Sequence, residues 1–314
     1  MQQKKDKQTI GIYLLLLLVP LFWGGAFGAA KHIITEVPPI TTAAFRFGLA
    51  GLILYAAARF SSEWDIQKIK VHWLSLLLMA LTGIFGYNLF FFMGLEYTSA
   101  VNGSLIVATT PVFVTLGAVL FLGETWSPRL GTGLILSLTG VFLVIIKGSL
   151  QTIKTLTFNE GDVLFIAALI CWIAHGLIGK VVLQKVSPFL TTTVTTIVGS
   201  VCLALLSFFE RGWGNILRMS NQAWLEMAFM VFFASIVGFI LWNKGIQKIG
   251  ASKASMYMNL VPINAAWIAF FLYDAPISWL QIAGMFMVII GVYVSTTGHH
   301  KKNKKLKKAT KRVI

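Results

Sequence analysis

Within the long apolar runs of this chain lie ten side chains able to hold a small molecule by charge, hydrogen bonding or ring stacking: Trp23, Arg46, Tyr87, Asn88, Asn102, Trp172, His175, Tyr257, Asn259 and Asn264. Their chemistry is recognition. No catalytic signature accompanies them, since HExxH, CxxC, GxSxG and a Gly-rich phosphate loop are all missing. His32, His72, His175, His299 and His300 are too scattered for a metal cluster or a triad, so no catalytic residue, cofactor or metal site is expected and the chain reads as a non-enzyme. Cys171 and Cys202 each sit in an apolar run and read as small hydrophobic residues, not as a disulfide framework.

The elements that must position these residues follow from composition. Of 314 residues, 57% are hydrophobic and 12% charged, against about 25% charged in an ordinary soluble domain. Apolar stretches run over 11–30, 39–58, 73–95, 100–121, 128–146, 163–183, 189–209, 224–243, 252–273 and 277–297, ten in all. Each reaches the roughly 20 residues that a helix needs to cross a bilayer. Pro38-Pro39, Ser127-Pro128 and Ser187-Pro188 mark joints, and connections this short force neighbouring helices to be antiparallel. The first run, preceded by Lys4, Lys5 and Lys7, is long enough to be a retained helix and not a cleaved leader. With the N-terminus inside, the inner segments carry 20 Lys and Arg against five outside. Both termini are therefore expected in the cytoplasm.

Self-comparison shows two halves. At an offset of 149, Trp23 matches Trp172, Lys31 matches Lys180 and Pro39 matches Pro188; at 151, Ser104 matches Ser255, Pro111 matches Pro262, Gly133 matches Gly284 and Gly140 matches Gly291. Five spans per half is an odd number, so the second copy enters the membrane inverted. The expected fold is an all-α integral membrane protein of ten transmembrane helices in two inverted five-helix repeats. It comprises a tail at 1–10, repeats at 11–148 and 160–297, and a basic tail at 298–314. Two halves related in this way can exchange conformations and expose one midplane site to either side. The fourth and ninth spans share a stripe of small residues around a proline, from Ala100 to Ala118 and from Ala251 to Ala269. Close helix packing and a cavity wall both fit that stripe.

The eleven carboxylates fall in tails, loops or span ends. A carrier of lipophilic cations would place one in its cavity, so neutral, zwitterionic or anionic ligands are expected. Arg46, about two turns from the end of the second span, either snorkels to the outer interface or binds a ligand carboxylate. His175 is either a buried neutral histidine bonded to a neighbouring helix or a cavity group able to couple a proton. The tail at 301–312, KKNKKLKKATKR, holds eight basic residues and suits anionic lipid headgroups. No nucleic-acid partner is expected, and either a monomer or a homodimer is compatible with the chain.

Over roughly 11–297 the chain resembles the ten-helix EamA branch of the drug/metabolite transporter superfamily. The resemblance is carried by PLFWGGAFGAAK at 20–31, AFRF at 44–47, GLEYTSAVNGSLIVATTPVFVTLGAVLFLGE at 94–124 and GDVLFIAALICW at 161–172. A weaker second copy surrounds Pro262 and GMFMVIIGVYV. It implies a plasma or inner membrane carrier that exports amino acids or related small polar metabolites by alternating access. Its central cavity would include Trp23, Asn88, Trp172, His175 and Asn259. One departure is that the position equivalent to Glu124 is Ala275, with Asp274 one residue earlier. Efflux of hydrophobic or cationic drugs is the runner-up within transport, and a non-transporting membrane scaffold or receptor is the opposing class.

Overall fold

A computed structural model describes residues 11–61, 63–98, 100–146, 154, 158–273 and 276–296; at 100–102, 269 and 272–273 the description covers the backbone alone. Asn102 as a site residue, Asp274 with Ala275, and the basic tail thus lie outside the described residues or side chains. Among the described residues all regular structure is helical. The helices are α1 (Gly11–Ile33), α2 (Pro39–Phe60), α3 (Trp73–Tyr97), α4 (Gly103–Leu122), α5 (Pro128–Ile145), α6 (Glu160–Val182), α7 (Pro188–Glu210), α8 (Asn221–Ile249) and α10 (Trp279–Thr296). These nine described helices are long and apolar enough to cross a membrane. Between α8 and α10, α9 is helical in three pieces, Ala251–Ser255, Met256–Leu260 and Val261–Tyr273, where the sequence pattern predicts an unbroken run. The middle piece is a 3₁₀ turn ending just before Pro262, which has no N–H to continue the ladder. Pro111 similarly divides the start of α4 into Ala100–Ala108 and Thr110–Leu122.

Helix starts follow local chemistry. Ser127, Ser187 and Ser220 cap α5, α7 and α8 by accepting from the backbone N–H three residues on, and Asn159 with Asp162 forms a reciprocal capping box at α6. Prolines open α2, α5 and α7, where a missing N–H costs nothing.

Packing relies on small residues, as expected where lipid supplies no hydrophobic drive between helices. α5 and α10 cross at paired glycines: a Cβ on Gly133 would stand 2.5 Å from the Gly291 carbonyl oxygen, and one on Gly284 2.7 Å from that of Gly140. α2 lies against α7, with Gly51 facing Ile197 and Ser200. The outer surface is apolar, with Leu52, Phe121, Ile135, Leu205, Phe271 and Phe286 exposed. That is the surface a lipid-embedded bundle presents. Matching places in α3 and α8 carry π-helical turns, Ala80–Gly86 and Met230–Val237. Such wide turns widen the helix locally and occur most often at functional sites.

Candidate functional site

The two π turns flank the middle of the bundle, where Trp23, Arg46, Tyr87, Asn88 and Trp172 line one cavity together with Ala26, Phe27, Phe91, Phe239, Met258 and Val261. Its free volume is about 50 Å³, room for a few waters. Trp23 and Trp172, repeat equivalents in sequence, meet edge to face with ring centroids 5.3 Å apart. Each also touches Trp242 and Phe239, so the wall is a continuous aromatic cluster of the kind whose geometry is set by ring quadrupoles. The Trp23 indole N–H donates to the Ala234 carbonyl, 3.0 Å away in the second π turn. Gly238, one helical turn on, leaves room for that indole, since a Cβ there would sit 3.0 Å from its nitrogen.

Arg46 is 5% exposed. Its Nε donates to Ser235 Oγ at 2.8 Å, again in the π turn of α8, and its guanidinium carbon lies 4.7 Å from the ring centroid of Phe47. Asn88 donates through Nδ2 to the Ile84 carbonyl at 2.9 Å. His175 stacks on Trp172 and is fully buried behind the cavity wall; its Nδ1 lies 3.1 Å from the Met79 carbonyl oxygen, beside Gly83. A Cβ on Gly83 would overlap the imidazole.

The remaining sequence-derived candidates lie elsewhere. Asn259 is buried and donates to Ser137 Oγ at 2.8 Å, tying α9 to α5. Asn264 bonds the Leu260 carbonyl of its own helix at 2.9 Å and packs its Cβ on Gly24. Tyr257 is buried in the core cluster. Sequence reasoning misses Phe27, Phe91, Phe239, Met258 and Ser235. Helical spacing was the available signal for two of them: Phe27 follows Trp23 by four residues, and Phe91 follows Tyr87 by four.

The two ends of the bundle differ. Toward the end marked by Glu36, a vestibule of about 950 Å³ opens among α1, the start of α4, the end of α5, α8, α9 and the start of α10. Lys31, His32, Gln222 and Glu226 stand at its rim, and Phe27 and Val261 separate it from the central cavity by lining both. His32 Nδ1 is 2.6 Å from Glu226 Oε2, and Lys31 donates to the Leu95 carbonyl. Glu36 accepts from the Ser220 N–H and hydroxyl, both at 2.7 Å, and these bonds hold its carboxyl below the usual carboxylate range.

At the other end, Glu124 closes the bundle. Gly123, left-handed at φ 65°, ends α4 and turns the glutamate toward the start of α9. The carboxylate accepts from the backbone N–H groups of Ala251 at 2.9 Å and Ser252 at 3.3 Å, and Lys180 Nζ lies 3.4 Å away. Beneath this knot an apolar cluster of Leu76, Met79, Val182, Val186 and Leu190 fills the end. Eight buried polar side-chain atoms lack a hydrogen-bond partner among the described residues, on Thr115, His175, Thr191, Thr196, Trp242, Asn243, Ser252 and Asn259. All eight residues lie in the halves of their helices nearer Glu124.

An apolar helical bundle with small-residue crossings, long lipid-facing helices and an aromatic, partly polar central cavity has the architecture of a multi-pass membrane protein, and the relatives make it a transporter and not an enzyme. Residues 10–146 and 159–297 each match the EamA-like transporter family, and the chain belongs to that family. The uncharacterized transporter YyaM of Bacillus subtilis is 35% identical over 287 residues, covering 91% of this chain and 94% of the relative. The uncharacterized inner membrane transporter YhbE of Escherichia coli (strain K12) is 27% identical, covering 93% and 94%. One solved crystal structure shares the fold with a TM-score of 0.73 at 17% identity, covering 91% of this chain and 97% of that one.

Proposed function

We propose that the chain is a ten-helix carrier of two inverted repeats, 11–148 and 160–297, with both termini cytoplasmic in the plasma or inner membrane. It exports amino acids or related small polar metabolites by alternating access. The observation that carries this reading is the difference between the two ends: one opens into the 950 Å³ vestibule, while the other is knotted at Glu124 and contains every described buried polar atom without a partner. An unpaired buried polar group costs about 1–3 kcal/mol. A fixed structure has no reason to gather eight of them at one end. A half-channel that fills with water when it opens does, and closure then dries the groups that line it.

An outward-facing conformer follows, with the vestibule facing outside, Phe27 and Val261 between it and the central cavity, and the Glu124 knot facing the cytoplasm. Substrate binds among Trp23, Arg46, Tyr87, Asn88 and Trp172, and His175 is the candidate for coupling a proton. The basic tail holds the cytoplasmic end to anionic headgroups. Counterflow in proteoliposomes, with panels of amino acids, organic acids, nucleosides and lipophilic cations, tests the assignment. Exchange of an amino or organic acid supports it, exchange of lipophilic cations alone replaces it with drug efflux, and no exchange of any compound refutes transport.

A further inference from the structure

Arg46 has a use that the fold does not explain. A guanidinium held 95% out of solvent in an apolar bundle normally meets a carboxylate. Here no carboxylate lies within ion-pair distance among the described residues, and none lines the cavity. Ser235 engages Nε, and Phe47 lies under the plane. The two terminal nitrogens have no hydrogen-bond partner among the described residues, yet neither is sealed off, because Arg46 is part of the cavity wall. That orientation leaves the paired N–H edge of the fork free and fixed, the edge that binds a carboxylate through two parallel bonds.

The rest of the wall defines what accompanies the charge. Trp23, Tyr87, Phe91, Trp172 and Phe239 present ring faces and edges, which suit a flat apolar body. The repeat supports the assignment, since the positions equivalent to Arg46, Asn88 and Tyr87 are Thr195, Phe239 and Gly238. The charge and the amide are therefore additions to one half and not parts of the duplicated frame.

We infer that the central cavity binds an organic carboxylate with a planar apolar body, docked on the free edge of the Arg46 guanidinium, with Ser235 as the residue that positions that edge. This rests on the transport reading and narrows it to a chemical class. Phe27 and Val261 stand between the vestibule and this site, and since the cavity here holds only a few waters, entry of a ring requires its wall to part at these residues.

Three ligands that share one ring and differ in head group test it: phenylacetate, phenylalanine and phenethylamine, added to the purified full chain in detergent while indole fluorescence is recorded. Phenylacetate and phenylalanine should quench with saturation, phenethylamine should not, and the relative strength of the first two tells a simple acid from an amino acid. Arg46→Gln should weaken carboxylate binding by about tenfold to a hundredfold, the range of a charged hydrogen bond. Arg46→Lys should recover part of it, and Ser235→Ala should weaken it while leaving the charge in place. Binding of phenethylamine alone, binding of none of the three, or equal affinity in folded Arg46→Gln and Ser235→Ala protein overturns the inference. Flux in proteoliposomes separates the two claims. Carboxylate binding without flux leaves the site standing and removes the transport reading, whereas flux of another solute that survives in Arg46→Gln does the reverse.

Discussion

Replacing Glu124 with alanine should open the end of the bundle that is closed here. The residue accepts two backbone N–H bonds at the start of α9 and pairs with Lys180. Hydrogen bonds to a charged group contribute about 1.5–3 kcal/mol each, and a partly exposed ion pair adds roughly 0.5 kcal/mol. The carboxylate side chain is 17% exposed and the Ser252 bond is long at 3.3 Å, so the low end applies and the loss is about 2–4 kcal/mol. At 1.4 kcal/mol per factor of ten, the equilibrium between the ends shifts by about 30-fold to several hundred-fold. Glu124→Gln keeps one acceptor oxygen and should fall between. The readout is maleimide labelling of Thr196→Cys, in a background with Cys171 and Cys202 changed to serine, in sealed inside-out vesicles. Thr196 is fully buried here, so its labelling rate reports the opened fraction and should rise by the same factor. Gly250→Ala should act alike, because φ there is +91° and a Cβ would lie 2.6 Å from Glu124 Oε1. Unchanged labelling in Glu124→Ala protein of normal yield and melting temperature would refute the latch.

Three other outcomes are expected. Gly83→Ala drives a methyl into His175 and should lower stability by about 1–3 kcal/mol; adding His175→Ala should restore most of the melting temperature, and a double variant no more stable than Gly83→Ala contradicts the contact. Gly140→Val places atoms against the Gly284 carbonyl and Val288 and should separate α5 from α10, read as a fall of several degrees in thermal unfolding with loss of detergent-resistant folding. The depressed Glu36 carboxyl gives a signed pH effect: its bonds to Ser220 stabilise the tie above the unfolded carboxyl pKa, and that contribution disappears as pH falls through the lower folded value. The protection factor of the Ser220 amide, followed by hydrogen exchange, should therefore drop only below the usual carboxylate range, and Glu36→Gln should abolish the dependence.

Transfer energy and repetition made much of this molecule legible in its sequence. Nine of the ten apolar runs appear as long helices, and α2, α5 and α7 start at the expected prolines, because burial in lipid leaves the backbone little choice. The 149-residue offset marks Trp23 and Trp172 as equivalents, and the structure adds that their rings meet. The π turns were not readable. They shift a hydrogen-bond register without any residue signature, yet they present the Ala234 carbonyl to Trp23 and Ser235 to Arg46. Asn259 and Asn264 show the converse limit: an amide inside a span has to find a partner, and sequence does not say whether that partner is a ligand, another helix or its own turn. Here the partners are Ser137 and Leu260.

The same distinction separates frame from function. Residues equal in both halves, such as Gly133 with Gly284 and Gly140 with Gly291, serve contacts that both halves must make, so their duplication is a packing requirement. A ligand with one charged end needs its countercharge only once. Arg46 opposite Thr195, Asn88 opposite Phe239 and His175 opposite Ala26 are departures of that kind, and the first two line the cavity while the third supports its wall. The latch obeys the same logic at larger scale: Glu124 faces Lys180 and α9, whereas its repeat equivalent is Ala275. The latched end, where Glu124 meets Lys180 and the start of α9, is the one closed in this structure. On the alternating-access reading proposed above, symmetry makes the exchange of conformers feasible, and the departures from it decide which conformer rests and what it holds.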